Sequence, residues 1–293
     1  MNKAYKYLVL GLACICSIQL SAQPATQLYL AKIKVRSSGI NVKDFKKISE
    51  FKGYNNQPHF APHGKTVYYT ANKGDKQTDI FAYNVKSGKT TQVINTTTSE
   101  YSATVMPDGK HFSCIMVEAD GTQRLWKFPL TGGKPSLVLK SIKPVGYHAW
   151  VNDDALILFV LGDKNSPNTL QMASAKKDQS RVVFKQIGRC FGDVPGKSQT
   201  MSFVHKPKGK EWTIKQVDIL NDRITDLTPT LKGSEDYVWT RKGSIIMGQG
   251  SKLFEWKQGE KWKEIADLSK NGIKKITRLA INPRNNLLVV VGQ

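Results

Sequence analysis

The sequence is short of cysteine, of acidic side chains and of long apolar runs, and each shortage excludes something. Four Cys in 293 residues exclude a disulfide-dense scaffold, and no Cys/His spacing fits a zinc ribbon or finger. No Gly-x-Ser-x-Gly occurs, so the nucleophile elbow of an α/β-hydrolase is absent. Past residue 22 no stretch is apolar for 18 positions, which excludes an ordinary membrane-spanning helix there. Only 23 Asp and Glu stand against 44 Lys and Arg, a formal net charge of +21. What is present is 40% apolar and 9% aromatic residues, enough to build a core and to exclude disorder.

Residues 1–22 read as a secretory signal. Lys3 and Lys6 form a basic start, Tyr7 to Ile18 is an apolar run, and Ser21-Ala22 supplies small residues for cleavage before Gln23. A lipoprotein signal at Cys14 or Cys16 fits less well, because each has only half of the usual flanking pattern. The expectation is a periplasmic or secreted protein whose chain from Gln23 has no membrane span.

Turn-like segments then recur at a fixed period. Ala61-Pro62-His63-Gly64, Met106-Pro107-Asp108-Gly109 and Val151-Asn152-Asp153-Asp154 are each 45 residues apart. A large apolar residue precedes each turn, and the column runs Phe60, Val105, Trp150, Val194, Trp239, Ile281. After every turn comes an apolar run such as VYYTA (67–71) or FSCIMV (112–117), and in five of the repeats a more alternating segment such as DIFAYNV (79–85) follows it. In five of the repeats a further short segment such as TTQVIN (90–95) follows. Four short strands repeated at this period make a propeller blade. The 271 residues from Gln23 divide into six such blades.

The last repeat stops after LLVVVG (287–292), two strands short. The missing pair lies at the other end, with QLYLAKIKV (27–35) in the third-strand column and FKKISEF (45–51) in the fourth. The expected fold is therefore all-β: a six-bladed propeller of four-stranded antiparallel blades over 23–293. Residues 23–53 lend two strands to the last blade.

PHFAPHGKTVYYTA and ATVMPDGKHFSCIMVEADGTQRLWKFPLTGG resemble the WD40-like repeat of the TolB family. Pro107-Asp108-Gly109-Lys110 is the closest match, followed by Gly121 and Thr131-Gly132-Gly133. The first repeat has His63 where that pattern has Asp, and the later four keep spacing with little of the motif. The Asp-Gly pair suggests a hairpin turn with two positive-φ positions. The resemblance implies the propeller; the extra N-terminal domain of TolB has no counterpart here, so its partner-binding role does not transfer.

In a propeller the first strand of each blade lines the central channel. These strands bring His59, Glu100, His148, Arg189, Asp193, Asp236 and Arg278 towards one axis, as candidates for a ligand site at the channel mouth. No catalytic residue, metal ligand or cofactor is assigned, since no His-x-x-x-His spacing sharpens a metal site. Cys114 and Cys190 fall two blades apart, too far to bridge, and are expected as buried free thiols. The six Trp are expected to pack between blades.

The charge has a location. From Gln23 onward the excess is +19, and residues 24–53 and 270–293 hold +5 each. Both stretches belong to the closing blade. Lys46, Lys47, Lys270, Lys274, Lys275 and Arg284 are thus a candidate basic patch for an envelope protein or for an acidic glycan or lipid surface. Nucleic acid is not an expected partner of an exported chain. The expected function is a monomeric, non-catalytic binding or scaffold propeller. The alternative is a channel-mouth enzyme of metal-dependent lyase or lactonase type acting on an anionic carbohydrate.

Overall fold

The computed structural model describes residues 23–73 and 77–293. The expected signal, with Cys14 and Cys16, lies outside these residues. Among the described residues there are six four-stranded antiparallel sheets and one short 3-10 turn, Ser269–Asn271. No described helix is long and apolar enough to cross a membrane.

The first blade holds β3 (Asn55–Phe60), β4 (Thr66–Asn72), β5 (Thr78–Asn84) and β6 (Thr90–Gln92). The second holds β7 (Ser99–Val105), β8 (His111–Val117), β9 (Gln123–Pro129) and β10 (Ser136–Leu137). The third holds β11 (Val145–Trp150), β12 (Ala155–Val160), β13 (Thr169–Ser174) and β14 (Gln179–Lys185). The fourth holds β15 (Ile187–Asp193), β16 (Thr200–His205), β17 (Thr213–Asp218) and β18 (Ile224–Pro229). The fifth holds β19 (Tyr237–Trp239), β20 (Ile245–Gln249), β21 (Lys252–Trp256) and β22 (Lys263–Asp267). The sixth joins the two ends of the chain in the order β2 (Gly39–Lys47), β1 (Gln27–Arg36), β24 (Leu287–Gly292), β23 (Ile276–Ile281).

The closing pair runs antiparallel from Gln27 opposite Gly292 to Lys32 opposite Leu287. The alternation of strand side chains decides what this blade covers. Val289 and Val291, with Leu28 and Leu30, pack against Val67, Tyr69 and Phe81 of the first blade. Leu288 and Val290, with Ile33 and Ile40, pack against Ile246 and Leu253 of the fifth. One sheet therefore seals both neighbours, and its apolar second strand is buried on both faces.

Two expectations need correction. The fourth strand of the closing blade is Gly39–Lys47, not 45–51, because Ser37-Ser38 closes a tight hairpin with Arg36 opposite Gly39. Gly39 adopts φ 136, a conformation closed to side chains with a Cβ, and that permits the sharp return. In the Pro107–Lys110 turn only Gly109 has positive φ, at 64. The turn is a four-residue loop, held by Asp108 Oδ1 accepting the amide hydrogens of Lys110 and His111 at 2.8 and 3.0 Å. Asn285, at φ 54, takes the glycine's place in the sixth blade.

The inner strands are irregular where the channel needs them to be. Register slips interrupt the pairing of β3, β7, β11, β15 and β23 with their neighbours. Such bulges re-aim side chains. Gln57 and Ser102, 45 residues apart, both sit at positive φ within them.

Removal of residues 24–52 is expected to abolish cooperative folding. It deletes Leu28, Leu30, Ile33, Ile40 and Ile48, all at most 9% exposed. At about 1.5–3 kcal/mol each, that loss approaches the whole stability of a typical domain. Thermal unfolding of the truncated protein checks it: a cooperative melt near that of the intact protein would refute the closure argument.

Candidate functional site

All six inner strands line a central channel, which carries a bowl at each end. At the end where the inner strands begin, the cavity is about 800 Å³ and includes Tyr54, Asn56, Arg189, Asp236, Lys274, Lys275 and Arg278. At the opposite end it is about 540 Å³ and includes His59, His148, Cys190, Asp193, Trp239 and Asn285. Tyr147, Arg189, Asp236 and Arg278 border both cavities and form the waist between them.

The waist is an electrostatic knot tying four blades. Arg189 of β15 donates to Asp236 Oδ2 through Nε at 3.1 Å and through its terminal nitrogen at 2.7 Å. Arg278 of β23 faces the other carboxylate oxygen at 3.5 Å, lies 5.1 Å from the Tyr147 ring centre and donates to the Tyr147 hydroxyl at 3.3 Å. Burial opposes the charge on Arg278, but Asp236, with Tyr147 beside it, outweighs burial and holds the guanidinium firmly protonated. Asp236 itself is 9% exposed, so two arginines on one carboxylate are the means by which that charge is tolerated.

His148 points at the neighbouring blade rather than at a ligand. Its Nε2 lies 2.6 Å from Ser113 Oγ, and Trp150 Nε1 donates to the same oxygen at 2.9 Å. The same hydroxyl donates to the Thr104 carbonyl of its own blade at 3.4 Å. Burial, and then the nearby His59, lowers the His148 pKa to about 3, and burial alone lowers His59 to about 4. Both rings are neutral at ordinary pH. The arrangement recurs 89 residues on. There Ser202 Oγ receives hydrogen bonds from Tyr237 Oη at 2.7 Å and Trp239 Nε1 at 2.8 Å, and donates to the Gly192 carbonyl. Each serine is the third residue of a second strand, and each bolts its blade to the next. A signal existed in the sequence: Ser113 and Ser202 stand in the blades just before the two that carry Trp in the pre-turn column. Without the fold, serine in an apolar strand carries no such meaning.

Glu100 does not line the channel. It is fully buried, accepting hydrogen bonds at Oε1 from Thr96 Oγ1 at 2.6 Å and Thr98 Oγ1 at 2.8 Å, while Oε2 finds no partner. Burial raises its pKa to about 7, against the two threonine hydrogen bonds and with help from Asp79. Asp193 is exposed, at the rim of the smaller cavity. Among the described residues, no three His, Cys, Asp or Glu side chains are placed to hold a metal ion.

The six candidate patch residues are all exposed but do not share one surface. Lys274 and Lys275 border the larger bowl, together with Lys206 and Lys232 of other blades, which sequence reading missed. Lys46 and Lys47 lie on the outermost strand, where Lys46 Nζ reaches the β5–β6 turn beside Gly88. Lys270 is on the 3-10 turn outside the bowl, and Arg284 is at the opposite end of the channel. Both cysteines are free, Cys114 buried and Cys190 half-buried on the channel wall, where it bridges the Tyr237 amide and carbonyl. Among the Trp, Trp150, Trp239 and Trp262 bond to a neighbouring blade, whereas Trp126 Nε1 bonds to Glu118 of its own blade.

Replacing Ser113 by Ala leaves the Trp150 N–H and the His148 ring without their shared partner. A loss of about 1–3 kcal/mol in chemical denaturation is expected, and less than additive loss in Ser113→Ala with Trp150→Phe. Glu100 gives a prediction with a definite sign. Its folded pKa lies above its unfolded one, so its contribution to stability is fully present below pH 4.5 and lost as pH rises through 7. His59 and His148 act the opposite way over an overlapping window, being stabilising above the unfolded pKa and less so as pH falls. The difference between Glu100→Gln and the parent isolates the carboxyl. Near-equal stabilities at pH 4, and a variant more stable by up to about 3 kcal/mol at pH 8, are expected in urea titrations. A pH-independent difference would refute it.

No protein-family model matches the chain, and no curated protein sequence matches it. Solved structures do. A structure described as TolB from Agrobacterium tumefaciens superposes with a TM-score of 0.70 at 12% identity, covering 92% of this chain and 98% of that one. TolB from Acinetobacter baumannii gives 0.59 at 12% identity over 92% of this chain, which spans 64% of that protein. An oligogalacturonate lyase in complex with manganese gives 0.54 at 12% identity, covering 87% and 82% of the two chains. What these likenesses share is architecture, and by that measure the chain has the fold of a TolB-like six-bladed β-propeller.

Proposed function

We propose that this chain is a monomeric, non-catalytic binding propeller of the bacterial cell envelope, engaging a protein or acidic glycan partner through its faces and its basic closing blade. The observation that carries the reading is the commitment of the buried polar side chains to one another. Asp236 is held by Arg189 and Arg278, His148 by Ser113, and Glu100 by Thr96 and Thr98. General acid–base or nucleophilic chemistry needs such groups free to reach a substrate. Lys46, Lys47, Lys270 and Arg284, by contrast, are exposed. The signal-like residues 1–22 support an envelope location.

The second reading is the lyase or lactonase type of channel enzyme, favoured by His59 and Asp193 bordering one cavity with His148. It requires a metal donor set that is not assembled among the described residues.

Charge reversal of Lys46, Lys47, Lys270 and Arg284 tests the surface role. Affinity capture from envelope extracts, with crosslinking, is expected to recover a partner in a salt-dependent way, and about severalfold less of it with the variant. Equal recovery by both proteins, insensitive to salt, would remove the basic blade from the interaction.

A further inference from the structure

The larger bowl concentrates charge from several blades. Arg189, Lys206, Lys232, Lys274, Lys275 and Arg278 border it, against Glu235 and Asp236. Both acids are already engaged: Asp236 by the two arginines, and Glu235 by Lys206 at 3.2 Å and Arg189 at 3.5 Å. Lys232, Lys274 and Lys275 form no salt bridge among the described residues, so three lysines without an acidic side-chain partner border one concavity that Gln293 also lines.

Their backbones are held in place. The Lys232 carbonyl accepts a hydrogen bond from Gln249 Nε2 at 2.9 Å. The Lys274 and Lys275 amides donate to the Gln293 main-chain oxygen at 2.7 and 3.2 Å. Just after them, Ile276 packs so tightly over Gly248 that an added Cβ would meet it at 2.4 Å. The fifth and sixth blades thus lock together beneath the lysines.

Two of the three aromatic rings that border the bowl carry a cation over one face. Lys206 Nζ stands 4.2 Å from the Trp212 ring centre, and Arg278 lies over Tyr147. Positive side chains outnumber negative ones around the bowl. A concave, partly desolvated wall focuses that potential, and a cavity of about 800 Å³ is of small-ligand size. Lysine ammonium groups, as flexible point charges, suit anionic groups without demanding one planar geometry.

We infer that this bowl is a binding site for a small anion bearing two or more carboxylate or phosphate groups. The inference goes beyond the proposed function, because it needs no macromolecular partner and rests on lysines other than the four whose charge reversal tests that reading.

Calorimetric titration of the intact protein with citrate and with inorganic triphosphate tests it, with acetate as the monovalent control. One-to-one binding of either multivalent probe is expected, weakened about tenfold or more from low to high salt, with no binding of acetate. The two probes separate carboxylate from phosphate recognition. Lys274→Glu with Lys275→Glu is expected to weaken binding about tenfold or more, and Lys232→Ala about threefold, without shifting the thermal melt. Lys46→Glu with Lys47→Glu should leave binding within about twofold. Absence of binding by both probes would overturn the inference. So would equal weakening by the outer-strand pair, since that assigns the attraction to net charge alone. If the double rim variant fails to fold, Lys232→Ala carries the test. Partner capture through the outer surface stands or falls separately.

Discussion

The pairing of β1 with β24 is the constraint on which the rest of the ring depends. A four-stranded blade is too thin to bury its own faces and is stable only between two neighbours. Val289 and Val291 on one side, and Leu288 and Val290 on the other, give the sixth blade a buried face towards each neighbour. If the pairing were lost, the first and fifth blades would each expose an apolar face, and β24 would present an unpaired edge. Closure through two distant segments of the chain makes the ring one cooperative unit.

Given closure, the inner strands approach one axis and polar groups must be satisfied there. The solution is to bond blades to one another. Asp236 draws arginines from the fourth and sixth blades, and Ser113 and Ser202 each receive an indole N–H from the following blade. These bonds lie where water is scarce, so leaving any one unmade would be costly. The same economy of partners engages Arg189, Asp236, Arg278 and His148 at the seams between blades.

The positive charge is arranged differently. Lysines that are far apart in sequence, Lys206, Lys232, Lys274 and Lys275, meet at the end where the inner strands begin. Other basic residues of the closing blade scatter to its outer strand and to the opposite end of the channel. A formal charge assigned to one blade therefore becomes at least two separate surfaces. They differ in setting: one lines a concave bowl, and the other lies on the outermost strand of the closing blade.

Much of the architecture was legible in the sequence because it is periodic. The 45-residue spacing, the pre-turn column and the missing strand pair each follow from a local rule about strands and turns, and they define six blades and their closure. The exact fourth strand of the last blade differs from the expectation, because the chain already turns back at Ser37–Gly39, before the segment that matches the fourth-strand column. The site was legible only in outline. Six of the seven candidates do border the channel, yet Glu100 turns into the blade, and His148 bonds to Ser113 of the neighbouring blade. Those outcomes depend on bulges in the inner strands, which reverse or re-aim side chains, and on which blade stands next. Strand order is a local property of the chain, whereas the direction and partner of a polar side chain are decided only when blades pack.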